Sequence, residues 1–414
     1  MTSSRLPRFA AFAVLFACTL PAFAQDPAAG EPRKMGPFTI VKEVDRTPVL
    51  NQGQTGTCWS FATVSFLETE VKRLSGKDVD LSEIWFARCA ILEKARRYLE
   101  KGGEATFGEG GLAHDCTELM KIYGAVPESV WSGLPAGRKA HNHGEMFTVL
   151  SGALKAIAKP KEAPAADAAP TTAAGGEGAA SATSKPAAPK KKRPVSAGVM
   201  RAVEAIVDSY LGAPPTTFEV DGKTYDPKTY AAEVLKLVGD DYVEVMAFGT
   251  APFGGKAKLE VPDNWLDWDQ YANITISEFL NAMNGALESG YSVALDTDVS
   301  EPGFEAMAGV GQIAEKVKEG KSTKTVLSDW EKNPEAITQE MRDAWFKDGS
   351  TTDDHLMHVV GVARHEDGRR FYLVKNSWGP KVGPFGGYVF LSEAFVRAKA
   401  LSIMVHRDAL KSKT

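Results

Sequence analysis

The chain has 414 residues, 43% hydrophobic and 24% charged, with a formal net charge of −5 at pH 7. That balance is ordinary for a soluble globular protein and leaves no basic footprint of the kind nucleic acid requires. The one basic run, Lys190 to Arg193, lies in a Pro/Ala-rich stretch and reads as solvated rather than as a binding patch.

At the N-terminus, Arg5 and Arg8 precede an apolar run from Phe9 to Leu20, followed by Ala22-Phe23-Ala24. This is the order of an export signal cut after Ala24, which predicts a periplasmic or extracellular protein. The run is too short for a transmembrane helix. Leu15-Phe-Ala-Cys18 loosely resembles a lipoprotein box, so the alternative is a lipid anchor on Cys18. Cleavage after Ala24 leaves Cys58, Cys89 and Cys116, an odd number that implies a free thiol or an intermolecular bridge. Cys89 and Cys116 lie in helix-like patterns, either as buried thiols or as a pair.

Residues 25–50 read as an extended approach. A helix is predicted from Trp59 to Leu74, with Phe61, Val64, Phe66, Leu67 and Val71 on its apolar stripe. Leu81-Ser-Glu opens a second helix through Leu99, with Ser82 as cap, and Leu112 to Tyr123 forms a third, ended by Gly124. Residues 156–198 hold no aromatic and hardly any large aliphatic residue, so they read as a disordered insert that cannot offset its ordering entropy. A helix follows from Val199 to Leu211. Strands are predicted at Ser292–Leu295, Met357–Val362, Arg370–Lys375 and Tyr388–Leu391, with a helix at Glu335–Phe346. Helices first and antiparallel strands later predict an α+β fold with a cleft between two lobes.

Cys58 stands where a Gly-bearing loop, Asn51-Gln-Gly-Gln-Thr-Gly-Thr57, meets the first helix. A helix N-terminus favours the thiolate that a nucleophile needs. Downstream lie Asp353-Asp-His-Leu-Met-His-Val-Val-Gly361 and Leu373-Val-Lys-Asn-Ser-Trp-Gly379. Strand alternation points His355, Met357 and Val359 one way and His358 the other. A metal pair of His355 and His358 is disfavoured because the two face opposite sides and no Cys or Glu completes a set.

These three segments resemble the active-site segments of papain-like cysteine peptidases. Further stretches narrow the resemblance to bleomycin hydrolase and aminopeptidase C: Leu81-Ser-Glu, Gly110-Gly111, Tyr123 to Pro127, Leu211 to Pro215, Tyr225 to Tyr230 and the Asp298 region. The resemblance implies a two-lobed papain-like fold with a helical insertion, and hydrolysis of peptides through a Cys-His-Asn mechanism and a thioester. It implies Cys58 as nucleophile, His355 as its base, Asn376 as the group orienting His355, and Gln52 as side-chain donor to the oxyanion. Gly110 and Gly111 would pair with the peptide backbone, which a side chain there would block, and Trp378 would shield the His355–Asn376 hydrogen bond.

No cofactor and no metal are expected. The partners implied are peptide substrates and copies of the chain in a homo-oligomer. Thr55 departs from the family pattern, which often has a disulfide cysteine there. The chain also shows neither the long propeptide of secreted relatives nor the C-terminal arm that restricts cleavage to peptide ends. Aminopeptidase action, endopeptidase action by the same mechanism, acyl transfer and a catalytically silent peptide-binding homologue are the readings left open. Of the smaller signals, His141-Asn-His143 reads as a polar helical surface stretch, Trp265 and Trp268 as packing, and Asn273-Ile-Thr275 as a formal sequon of little weight.

Overall fold

The computed structural model describes residues 33–158, 193–319 and 322–411. The expected leader at 1–24, Cys18 and most of the insert lie outside the described residues. Residues 156–158 and 197–198, counted with that insert, are helical.

The N-terminal half holds the short hairpin β1 (Lys34–Met35) and β2 (Phe38–Glu43), then α1 (Cys58–Ser75), α2 (Glu83–Glu100), α3 (Ala113–Tyr123), α4 (Gly144–Ala158) and α5 (Ala197–Leu211). A small hairpin, β3 (Phe218–Val220) with β4 (Lys223–Tyr225), leads to α6 (Pro227–Tyr230). Next come β5 (Tyr242–Met246), β6 (Gly255–Ala257), β7 (Tyr271–Asn273), α7 (Ile276–Glu288) and β8 (Val293–Thr297). Short strands β9 (Phe304–Glu305) and β10 (Val310–Gly311) precede the hairpin β11 (Ala314–Glu319) and β12 (Ser322–Leu327). The chain closes with α8 (Gln339–Asp348), β13 (His355–His365), β14 (Arg370–Lys375), β15 (Tyr388–Ser392), α9 (Glu393–Lys399) and β16 (Ala400–His406).

Trp59 to Val71 are all buried, so α1 is a central helix enclosed on every side rather than an amphipathic surface one. It ends at Gly76, whose φ of 70° lets its N–H reach back to Lys72 O. The Ser82 cap forms as expected, with the Trp85 N–H donating to its hydroxyl. The helix predicted at Glu335–Phe346 starts later, at Gln339. Pro334–Ala336 make a 3₁₀ turn, and the Thr338 hydroxyl caps the Met341 N–H.

Among the described residues, twelve strands join in one sheet ordered β6-β7-β5-β16-β8-β13-β14-β15-β10-β9, largely antiparallel, with β2 also on β13 and β1 on β2, while β3-β4 and β11-β12 are separate hairpins. β8 and β2 share one edge of β13 in succession, and the register shifts between Val359 and Gly361. A Cβ on Gly361 would lie 2.4 Å from Lys42 O, so the handover from β8 to β2 needs glycine there. One sheet face packs on α1 and the other helices of the N-terminal half. The other face packs on α7 and α9. The α+β, two-lobed papain-like architecture is therefore present, and α1 meets β13 at the seam between its lobes.

Cys89 and Cys116 are buried free thiols, not a disulfide. Among the described residues no helix is long and apolar enough to cross a membrane.

Candidate active site

Cys58 is the first residue of α1, half-buried at the seam. The backbone N–H groups of Trp59 and of Leu356, the residue after His355, lie near enough to its sulfur to favour the thiolate. The thiol therefore lies alongside the start of β13. Burial pushes the thiol up to about 12, Asp296 and Asp353 add to the rise, and the N–H groups of Leu356 and Trp59 oppose it.

His355 is buried, with Nε2 2.8 Å from Asn376 Oδ1. The same oxygen accepts the Ser377 N–H at 2.7 Å, which fixes the orientation of the amide. Nε2 therefore carries the imidazole proton, and Nδ1 is left as a proton acceptor. The Trp378 ring lies 4.8 Å from the His355 ring at a tilt of 36°. Burial pulls His355 down to about 4 against the Asn376 bond and Asp354.

Gln52 sits in the loop before α1, and its amide is committed on two sides. Oε1 accepts the Ser377 hydroxyl at 2.5 Å, and Nε2 donates to Thr55 O at 2.7 Å, leaving the second Nε2 hydrogen unspent. Backbone bonds run between the same two segments, Gln52 N to Ser377 O and Gly379 N to Leu50 O. The Gln52 loop and the Asn376 motif thus form one unit. Ser377 is the joint that sequence reading passed over, although it lies between two residues singled out for their chemistry.

His358 faces the other way. Its Nδ1 lies 2.8 Å from Ser65 Oγ on α1, and burial, with Lys375 and Arg46 nearby, holds it well below the usual histidine range. Lys375 Nζ donates to Ser65 Oγ at 2.7 Å and to Thr47 Oγ1 at 2.9 Å, and Thr47 donates to Glu68 at 2.6 Å. This is a buried polar joint between the lobes, and His358 belongs to it.

Gly110 and Gly111 border the cleft, but protein atoms already fill their side-chain positions. A Cβ would lie 1.8 Å from Asp263 Oδ2 at Gly110, and 2.5 Å from Asp115 Oδ2 at Gly111. The glycine requirement is thus set by packing before any substrate arrives. His141-Asn-His143 is not a surface helix. His143 is buried, its Nδ1 2.7 Å from Glu109 Oε1, and Gln54 N donates to His141 O at 2.9 Å. The stretch pins the loop that carries Gln52. The motif read as packing, Trp265 and Trp268, also contacts polar groups: Trp265 Nε1 donates to Asp115 at 2.6 Å, and Trp268 stacks on His114 at 5.0 Å.

Residues 39–130 match the family described as papain family cysteine protease. The chain is 22% identical to aminopeptidase C of Lactococcus lactis over 397 residues, 89% of this chain and 82% of that one. The aminopeptidase C of Listeria monocytogenes is likewise 22% identical, over 90% of this chain and 82% of its own. The mitochondrial cysteine proteinase 1 of Saccharomyces cerevisiae is 30% identical over 115 residues, 24% of each chain. Among solved structures, PepW of Lactobacillus rhamnosis superposes with a TM-score of 0.59 at 19% identity, over 90% of this chain and 82% of that one. The matched segment contains Gln52, Cys58 and Gly110-Gly111, and the fold is shared over nearly the whole described chain. The chain is thus similar to papain family cysteine proteases in sequence over residues 39–130, and to PepW in fold over most of its length.

Proposed function

We propose that the chain is an exported cysteine aminopeptidase in which Cys58, His355, Asn376 and Gln52 carry the reaction. The observation that carries the assignment is the His355 Nε2–Asn376 Oδ1 bond of 2.8 Å, which leaves Nδ1 as the free proton acceptor at the start of β13, the strand end near Cys58.

The Cys58 sulfur attacks the scissile carbonyl as its proton passes to His355 Nδ1. The resulting oxyanion meets the unspent Gln52 Nε2 hydrogen and the Cys58 N–H. Collapse transfers the proton from His355 to the departing amine and leaves a thioester on Cys58. A water molecule, deprotonated by His355, then releases the acid and restores the thiol.

Aminopeptidase action is supported by similarity to aminopeptidases C over most of both chains. Digesting free and N-acetylated peptides and reading the cut sites by mass spectrometry tests it; internal cuts in blocked peptides would make the enzyme an endopeptidase. Cys58→Ala should abolish turnover and labelling by an epoxide warhead. Persistent labelling in that variant would remove Cys58 from the role. Export is supported by Arg5, Arg8 and the apolar run to Leu20. The mature protein should begin at Gln25 when its N-terminus is sequenced, whereas a lipid-modified Cys18 would replace this reading with an anchored one.

A further inference from the structure

The surroundings of Cys58 are acidic and short of donors. Along β8, Leu295 enters the core against α7, while Asp296 follows Ala294 towards the helical lobe. Asp296 is 1% exposed, and neither of its carboxylate oxygens meets a hydrogen-bond donor. It faces Asp353, two residues before His355, whose Oδ2 is also buried without a donor. Carboxylates only accept, so two that face one another require a proton or a cation between them.

Asp263, Glu244 and Asp115 extend the same negative field. The cations nearby are engaged elsewhere. Lys94 Nζ donates to Gly108 O at 3.1 Å and to Gly110 O, and the His114 ring pairs with Glu244. Among the described residues no group of three His, Cys, Asp or Glu side chains is arranged to hold a metal ion. In the free protein a proton shared by the two carboxyls meets that demand, and a bound organic cation would meet it in its place.

The pair also lies close to Cys58. Leu356, the β13 partner of Asp296, is the residue whose N–H lies near the Cys58 sulfur. Asp263 lies against Gly110 at the cleft edge, and Asp353, Asp263 and Cys58 are each partly open to solvent.

We propose that Asp296 and Asp353 form a binding site for an ammonium group of the peptide substrate, so that Cys58 prefers peptides charged positively next to the scissile bond. This rests on the reading of Cys58 as nucleophile. An ammonium brings three donors, and three buried oxygens lack one: both of Asp296 and Oδ2 of Asp353. The cation can be the α-amino group of the N-terminal residue or a lysine side chain one residue upstream. Either would also cancel the field by which Asp296 and Asp353 oppose the Cys58 thiolate. Recognition and activation of the nucleophile are then one event.

The test uses the full chain and two substrate pairs: alanine anilide against its N-acetylated form, and N-acetyl-Lys-Ala anilide against N-acetyl-Leu-Ala anilide. The charged member of at least one pair should be favoured in kcat/KM by about tenfold or more, as expected for a desolvated charge contact. Asp296→Asn and, separately, the more exposed Asp353→Asn should erase that preference. The pair that loses its preference identifies the source of the ammonium. Equal rates within both pairs in the unaltered protein, or equal losses on charged and neutral members in the variants, would overturn the proposal. Epoxide labelling of Cys58 in the same samples keeps this failure separate from failure of the peptidase reading, which absent labelling in the unaltered protein would bring.

Discussion

The Ser377 hydroxyl donates to Gln52 Oε1 at 2.5 Å and thereby sets the orientation of the Gln52 amide. Ser377→Ala should let that amide turn while leaving Cys58 and His355 in place. The expected result is a fall in kcat of about tenfold with little change in KM, the pattern of an interaction made in the transition state. Labelling of Cys58 by an epoxide should persist, and a KM effect alone would assign Ser377 to substrate binding instead.

Asn376 fixes the imidazole tautomer through one 2.8 Å bond. Asn376→Ala should lower kcat on the order of 100-fold, less than loss of the buried aspartate costs in a serine triad because no charge is removed. Asn376→Asp supplies an acceptor in the same place and should recover part of the loss. Steady-state kinetics on one substrate series would show whether that ordering holds.

Lys375 and Glu68 are buried together, and burial drives Lys375 down to about 8 and Glu68 up to about 7. Lys375→Met strands the Glu68 carboxylate and should cost about 3–5 kcal/mol. The double variant with Glu68→Gln should recover much of it. Thermal unfolding of the three proteins at one pH would measure the coupling, and additive losses would mean that the two do not act as a pair.

Asp353 supplies a test in pH. Burial, with Asp263 nearby, pushes its carboxyl up to about 7 in the folded chain, against roughly 3.9 when unfolded. Between those values the folded state holds a proton that the unfolded state has released, so this group erodes stability as pH rises from about 4 to 7. Asp353→Asn should therefore unfold at a higher temperature than the unaltered protein at pH 8, with the gap closing at pH 4. A constant gap across that range would assign the difference to packing instead.

Gly110 gives a steric prediction. A methyl group there must displace Asp263, whose Oδ2 occupies the position. Gly110→Ala should lower kcat/KM through the edge of the cleft. Adding Asp263→Ala should restore part of it if the carboxylate is the obstacle, and no recovery would point to the substrate as the obstacle.

What could be read from the chain alone divides along physical lines. Cys58, His355 and Asn376 each sit in a segment whose local signals agree: a glycine-bearing loop before a helix, and two β-rich apolar runs. The centrality of α1 was not legible, because its apolar residues read as one stripe while polar Ser60, Thr63, Glu68 and Glu70 are buried too. What escaped depends on groups far apart in sequence. His143 reads as surface among polar neighbours, and only Glu109, brought across the loop, explains its burial. Ser377 looks generic until Gln52, 325 residues away in sequence, accepts its hydroxyl. Asp296 did leave a trace, a carboxylate within the apolar run Val293 to Thr297. Its meaning needed Asp353 on the adjoining strand.

The separation of Cys58 from His355 has a consequence in time. A ribosome releases the nucleophile early, with its helix and the loop bearing Gln52, but the base and its orienting amide come from β13 and the turn after β14. Those strands pair with β8 and with β2, so they can dock only after most of the polypeptide has been made. During synthesis the thiol is therefore without its proton acceptor. The order of translation itself keeps a nascent peptidase from cutting its surroundings.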